Sequence, residues 1–186
     1  MIIGISIVLV YTVLGGMYSV AWTDFMQMTL IVIGLLYIAW VVGGEAGGVG
    51  AVVAHASQAG KFDFFPDPQL RDVLWFFGAA ITMMFGSIPQ QDVFQRVTSA
   101  RTVTIAVWAT VAGGVFYFFF AYVPMFLAYS ASLIDPKLVQ DNIASNAQHI
   151  LPQLILQHTP VFAQIMFFGA LLSAIMSTAS ATLLAP

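Results

Sequence analysis

Long apolar runs separated by shorter polar connections dominate the chain. The runs cover about residues 1 to 21, 25 to 42, 73 to 94, 103 to 131, and the stretch from Val161 onwards. A helix needs about 20 mostly apolar residues to cross a bilayer, and a dry hydrocarbon core accepts only backbone that satisfies its own hydrogen bonds. Because the runs have this length and do not alternate with period two, they predict an all-α membrane protein with about five membrane helices.

The connections between the runs suggest how the helices are joined. Val20 to Asp24 predicts a short turn between the first two helices. Residues 43–72 are rich in glycine and then acidic with two prolines, which predicts a surface loop and the best internal boundary of the chain. Residues 135–159 are amphipathic, and Pro124 predicts a kink in the fourth run.

Basic residues in short connections indicate which side of the membrane is cytoplasmic. Arg96 and Arg101 lie in a connection of about ten residues, whereas the other basic residues lie in longer loops that also carry acids. We therefore expect the Arg96 connection, with its two arginines as topology anchors, to be cytoplasmic. Alternation then places loop 43–72 outside.

Composition supports a membrane protein and excludes several functions. The chain is 60% hydrophobic and 7% charged, with a net charge of −3 and a mean hydropathy of +0.94, whereas soluble domains carry about 25% charged residues. Five basic residues give no electrostatic footprint for nucleic acid. Cysteine is absent, no phosphate-binding loop occurs, and the apolar runs lack paired His, Asp or Glu, so we expect no enzyme activity.

The third apolar run is interrupted before it is long enough to span the membrane. Its uninterrupted part rises only about 20 Å, against a hydrocarbon core of about 30 Å. A proline removes an amide donor, and a broken membrane helix is tolerated where it lines a cavity. The segment is therefore either a substrate-binding break or an ordinary kink, with its polar and flexible positions at Gly86, Ser87, Pro89, Gln90 and Gln91.

The fifth run is rich in hydroxyl side chains. Ala174, Ser177 and Thr178 are spaced i, i+3 and i+4 and so share one face of a helix. Hard cations such as sodium prefer oxygen ligands, which two hydroxyls and an exposed carbonyl would supply. Small and hydroxyl residues also line packed helix interfaces in membranes. The residues alone leave both interpretations open.

Asp24 lies near the predicted cytoplasmic end of the second run. Acidic residues at membrane depth typically mark ion pathways. An aspartate at the start of a helix also serves as an N-cap and interacts favourably with the helix dipole. The two roles are compatible, and the pattern predicts both.

Three ordered motifs resemble the sodium:solute symporter family, which includes sodium-coupled proline, sugar, pantothenate and choline transporters. They are YTVLGGMYSVAWTDFMQ at residues 11–27, GSIPQQDVFQR at residues 86–96 and SAIMSTAS at residues 173–180. The resemblance extends over essentially the whole chain. It implies a partial LeuT-like bundle of inverted repeats, in which residues 1–186 form one internal segment of a transporter membrane domain.

The resemblance also implies roles for the candidate residues. Residues 1–42 would end the first repeat, 43–72 would join the repeats and 73–186 would begin the second. Ala174, Ser177 and Thr178 would form part of a sodium site, and Asp24 would lie near the cytoplasmic exit route. The broken segment 86–91 would face the substrate.

The implied activity is sodium-coupled symport of a small polar organic solute. It would take place in the plasma (inner) membrane, within a multi-pass protein that also requires the remaining helices of the transporter. The alternative is a symporter-like sensor domain of a signalling protein. The motif around Pro89 looks nearest to the choline-transporter branch, but that branch has a tryptophan where this chain has Gln90. An amino acid, a carboxylate or another polar solute is equally compatible.

Overall fold

The computed structural model describes residues 2–86, 88 and 90–184, and all regular secondary structure in this part of the chain is helical. A short 3₁₀ turn, Ala147–His149, precedes the eighth helix. The helices are α1 (Ile2–Glu45), α2 (Val49–Gln58), α3 (Leu70–Gly86), α4 (Gln91–Thr98), α5 (Val103–Phe120), α6 (Tyr122–Ile134), α7 (Pro136–Asn142), α8 (Ile150–His158) and α9 (Val161–Leu184).

Three stretches of the described residues are long and apolar enough to cross a membrane. They are Leu9–Glu45, Val103–Ile134 and Val161–Thr182. The all-α membrane architecture predicted from the sequence is thereby confirmed. The total of five membrane helices and the LeuT-like repeat stay predictions, because α3 has only 17 residues and the first two runs lie in one bent element, α1.

The predicted turn at Val20 to Asp24 is wrong. The helix continues through this stretch, where the Thr23 hydroxyl donates to the carbonyls of Ser19 and Val20 at 3.0 Å instead of capping a new helix. The interruption lies at Gly16, whose φ of 53° and ψ of −149° are not helical. Glycine enters this region without steric cost, so the chain bends there, several residues before the expected turn.

The predicted break in the third run is confirmed. Helix α3 ends at Gly86 and α4 begins at Gln91. The Ile88 amide donates to the Phe85 carbonyl at 3.2 Å, which is the shorter spacing of a turn and not that of an α-helix. Helical bonding resumes where the Phe94 amide donates to the Gln90 carbonyl at 3.0 Å. Ser87 and Pro89 lie outside the described residues.

The fourth run divides near its proline, as expected. Helix α5 ends at Phe120 and α6 starts at Tyr122, two residues before Pro124. A proline within a helix cannot donate to the carbonyl four residues earlier and its ring crowds that carbonyl. The joint at Ala121 therefore lies where the proline disrupts the preceding turn.

Loop 43–72 is more ordered than its composition indicates. Helix α2 forms in its middle, with the two buried side chains Val52 and Ala56 one turn apart, and it packs on α6. The His55 ring nitrogen and the Tyr129 hydroxyl are 2.6 Å apart and join the two helices. Tertiary packing thus stabilises a helix that its glycines alone would not predict.

The described core lies towards one end of the molecule, where α1, α6, α8 and α9 meet. Its fully or nearly buried side chains are Ile38, Val42, Leu127, Ala131, Leu154, Ile155 and Phe167. Helices α3 and α5, by contrast, bury none of their residues within the described chain. Their large apolar side chains are therefore available to lipid or to further helices.

Helices α1 and α9 make the most extensive helix contact, and a glycine permits it. A Cβ atom at Gly34 would lie 3.2 Å from the Met166 carbonyl oxygen and 3.5 Å from the Ala170 Cβ. Small residues allow membrane helices to approach closely, and van der Waals packing is the main attraction between them. This contact holds the two helices that carry the candidate ion-binding residues.

Candidate functional site

A polar cluster joins three helices near the middle of the α1 sequence. The Asp24 carboxylate accepts a hydrogen bond from the Arg96 guanidinium, Nη2 to Oδ2, at 2.7 Å. Its other oxygen, Oδ1, accepts from the Ser177 hydroxyl, also at 2.7 Å. Asp24 lies on α1, Arg96 on α4 and Ser177 on α9. We refer to these three residues as the Asp24 cluster.

The carboxylate at the centre of the cluster is well shielded. The Asp24 side chain is 17% exposed and that of Arg96 is 42% exposed. Ser177 is partly buried. Charge-assisted hydrogen bonds of this length are about twice as strong as neutral ones. The cluster therefore fixes the position of Asp24 through two bonds on opposite oxygens.

The other two residues of the predicted sodium site form a pair one turn apart on α9. The Thr178 hydroxyl donates to the Ala174 carbonyl at 3.0 Å. The Ser180 hydroxyl likewise donates to the Ser177 carbonyl at 2.8 Å. Both hydroxyls of the candidate site, on Ser177 and Thr178, thus have their single hydrogen committed to a protein oxygen.

This arrangement is chemically suited to a small cation. A hydroxyl has one hydrogen and two lone pairs, so a hydroxyl that donates its hydrogen retains lone pairs for another partner. Two hydroxyl oxygens and the Ala174 carbonyl lie on one helical face, with the Asp24 carboxylate next to it. Hard cations prefer oxygen donors, and the Ala174 carbonyl already accepts the Thr178 hydroxyl. The assignment of Ala174, Ser177 and Thr178 to a sodium site stays a prediction.

The candidates for substrate binding are in a different environment. Gly86 and Gln90 are both exposed, and no atom of the described chain outside its own helix backbone lies within 4 Å of a Cβ placed on Gly86. Gln90 has an extended backbone and precedes the first residue of α4. Ser87, Pro89 and the side chain of Gln91 lie outside the described residues. The assignment of these five residues to a substrate site stays a prediction.

The cluster changes the interpretation of two residues. Asp24 is not an N-cap, because it lies inside α1 and its carboxylate contacts other helices. Arg96, interpreted from the sequence as a topology anchor, pairs with Asp24. The two residues are 72 positions apart, so no local spacing rule could have revealed their contact.

A second polar group lies at the C-terminal end of α1. The His158 ring is 4.0 Å from a Glu45 oxygen and 3.8 Å from an Asp135 oxygen. Asp135 also caps α7, since its carboxylate accepts from the Leu138 amide at 3.0 Å. These contacts bring together the ends of α1, α6 and α8, and they close the buried core on that side.

Comparison with protein families gives a match along the whole chain. The model of the sodium:solute symporter family matches residues 1–186. No solved structure matches the chain.

Several curated proteins are similar to the chain in sequence. The human high affinity choline transporter 1 is 28% identical over 98% of this chain and 32% of its own length. The sodium-dependent multivitamin transporter of Oryctolagus cuniculus is 36% identical over 53% of this chain and 16% of its own length. The sodium/glucose cotransporter 4 of Danio rerio is 26% identical over 95% of this chain and 32% of its own length. The chain thus spans about a third or less of the length of these relatives.

Proposed function

The chain belongs to the sodium:solute symporter family, and from this premise we propose that the complete protein couples the entry of sodium to the uptake of a small polar organic solute. The named relatives are transporters and cotransporters, not enzymes. The chain is an integral, multi-pass membrane protein, as its long apolar helices require. Its assignment to the plasma (inner) membrane is part of the proposal.

The observation that carries the proposal is the Asp24–Ser177 hydrogen bond between α1 and α9. Ionisable side chains within membrane segments are costly and typically serve ion pathways. Here the carboxylate contacts a hydroxyl of the very face that carries Ala174 and Thr178. A sodium ion bound by Ala174, Ser177 and Thr178 would therefore have an anionic group beside its route towards the Arg96 side of the membrane.

The helix break between α3 and α4 supports a neighbouring solute site. Discontinuous membrane helices expose backbone groups that coordinate substrates and ions. Gly86, Ser87, Pro89, Gln90 and Gln91 would supply uncharged donors and acceptors to a polar solute. In this proposal α4 links the two sites, because it begins in the break and carries Arg96.

The identity of residue 90 bears on the chemistry of the solute. Quaternary ammonium ions bind best to aromatic faces, and Gln90 occupies the position where the resembling choline branch has tryptophan. An amide instead recognises hydroxyl, amino or carboxylate groups by hydrogen bonding. We propose a solute that carries such groups, so that amino acids, monocarboxylates, sugars and vitamins are the compounds to test first, with choline as the comparison.

The proposal is tested by uptake into vesicles that contain the purified complete protein. Radiolabelled choline, glucose, biotin, pantothenate, lactate and proline are offered with an inward sodium gradient, and N-methylglucamine replaces sodium in the control. We expect at least one solute to accumulate only with sodium. Sodium-dependent solute binding without accumulation would instead favour the sensor. Accumulation without dependence on sodium would contradict the proposal.

Two contacts along the C-terminal half of α1 also support the proposed topology. The stretch between Asp24 and Glu45 rises about 30 Å, close to the thickness of a hydrocarbon core. Arg96 contacts Asp24 at the start of this stretch, and His158 contacts Glu45 at its end. The Arg96 connection and the α2 region would then lie on opposite sides of the membrane.

Cysteine labelling of the complete protein in intact cells tests this topology. Ser57 in α2 and Ser99 at the end of α4 are both exposed, so Ser57→Cys and Ser99→Cys should react without unfolding. We expect a membrane-impermeant maleimide to label Ser57→Cys at once and Ser99→Cys only after the membrane is opened. Residues 1–186 contain no cysteine, and any accessible cysteine elsewhere in the complete protein is first replaced by serine. The reverse pattern would invert the orientation.

A further inference from the structure

The Asp24 cluster connects the candidate sodium ligands to Arg96, which the sequence indicated only as a topology anchor. Arg96 holds Oδ2 of Asp24 at 2.7 Å, and Oδ1 of the same carboxylate receives the Ser177 hydroxyl at 2.7 Å. Arg96 and Ser177 lie on helices α4 and α9, and Asp24 bridges them from α1. The three side chains therefore form a continuous chain of charge-assisted hydrogen bonds.

The bond from Ser177 to Asp24 determines how the hydroxyl meets a cation. A serine hydroxyl rotates freely unless its hydrogen has a partner. Donation to a carboxylate fixes that hydrogen on the Asp24 side and directs the lone pairs away from it. It also draws the O–H electrons towards oxygen, because hydrogen bonds in a chain polarise one another. The Ser177 oxygen becomes a better and better-oriented ligand for sodium.

Arg96 determines where the carboxylate lies. Its guanidinium is always charged and presents donors in a rigid plane, so it holds a carboxylate oxygen in a defined direction. With Oδ2 fixed, Oδ1 stays within reach of Ser177. Without Arg96 the Oδ2 atom would lose this bond, and only the Ser177 hydroxyl would still hold the carboxylate in its orientation.

We propose that Arg96 and Asp24 are positioning residues for sodium, in which Arg96 fixes the Asp24 carboxylate and Asp24 in turn orients the Ser177 hydroxyl towards the ion. This inference rests on the proposed sodium-coupled function and adds to it a route from the α4 connection to the ion site. It assigns Arg96 a role in ion affinity in addition to membrane topology.

The test measures the sodium concentration for half-maximal solute uptake by the complete protein in vesicles. Asp24→Asn keeps an oxygen acceptor but removes the charge, and we expect the half-saturating concentration to rise about tenfold, as for the loss of a charged hydrogen bond. Arg96→Gln should raise it several-fold. Arg96→Lys should recover part of this loss, because a lysine supplies the charge without the planar fork.

A double-variant cycle separates positioning from independent effects. If Arg96 acts through Asp24, adding Arg96→Gln to Asp24→Asn should shift the sodium dependence little further. Likewise, Asp24→Asn should add little in a Ser177→Ala background. The inference would be overturned if the two substitutions of either pair raised the half-saturating sodium concentration by the product of their single effects. An unchanged sodium dependence in Arg96→Gln would overturn it as well.

Two controls keep this outcome distinct from other failures. Arg101→Gln removes an exposed arginine from the same connection and should leave the sodium dependence unchanged. An equal shift in Arg101→Gln would show a general effect of loop charge and overturn the role of Arg96. If the wild-type protein itself showed no sodium dependence, the proposed function would fail. If the wild type depended on sodium but the effects of the substitutions were independent of one another, only the positioning role would be rejected.

Discussion

Replacing Ser177 or Thr178 by alanine in the complete protein is expected to raise the sodium concentration for half-maximal uptake about tenfold. Each substitution removes an oxygen that lipid cannot replace. We take the loss of one contact between sodium and oxygen to be comparable to the loss of a hydrogen bond to a charged group, about 1.5–3 kcal/mol, and about 1.4 kcal/mol corresponds to a factor of ten in affinity. Stability should change far less, because hydrogen bonds between membrane helices average about 0.6 kcal/mol.

The measurement is sodium-titrated uptake beside thermal unfolding of the purified protein. Thr182→Ala is a matched control for Thr178→Ala. The Thr182 hydroxyl donates to the Thr178 carbonyl at 2.9 Å, just as that of Thr178 donates to Ala174, but Thr182 lies one turn beyond the proposed site. Because binding coupling is reciprocal, the two site variants should also weaken the effect of sodium on solute affinity. Unchanged sodium dependence would reduce Ser177 and Thr178 to packing residues.

Replacing Gly34 by leucine is expected to destabilise the protein by about 1–3 kcal/mol, the usual range for overpacking a buried contact. Even a Cβ at this position would approach the Met166 carbonyl oxygen at 3.2 Å. The larger side chain must therefore push α1 and α9 apart. Since Asp24 and Ser177 lie on these two helices, the same variant should also weaken the sodium dependence.

Gly44→Leu on the same helix is the control, because no described atom outside the helix backbone lies within 4 Å of a Cβ there. Thermal unfolding in a fixed detergent compares the two variants with the wild type. A Gly34→Leu protein as stable as Gly44→Leu would show that the α1–α9 contact is looser than described.

The sequence predicted the features that depend on local chemistry. Apolar length predicted an all-α membrane protein, and α9 begins at Val161 as expected. The break after Gly86 was predicted from the short apolar run before it and the proline after it. Both signals come from residues that are neighbours along the chain. Pro124 similarly indicated the division between α5 and α6.

Features that depend on distant contacts were missed or misplaced. Thr23 and Asp24 have the composition of a helix start, yet Thr23 bonds back to its own helix and Asp24 binds residues of α4 and α9. Helix α2 is stabilised by packing on α6, whereas the glycine-rich sequence around it predicted a loop. Arg96 reaches Asp24 only because the fold brings them together. Propensity rules describe neighbours along the chain and contain no information about such pairs.

The bend at Gly16 imposes a constraint of handedness and not of size. No neighbouring atom lies within 4 Å of a Cβ placed there, so space alone would admit alanine. Its φ of 53° and ψ of −149° lie near the mirror image of the polyproline II region that L-amino acids favour. A D-amino acid would therefore adopt this conformation without strain. Ribosomes supply only one residue without chirality, and for this position glycine is the sole genetically encoded residue that fits without strain.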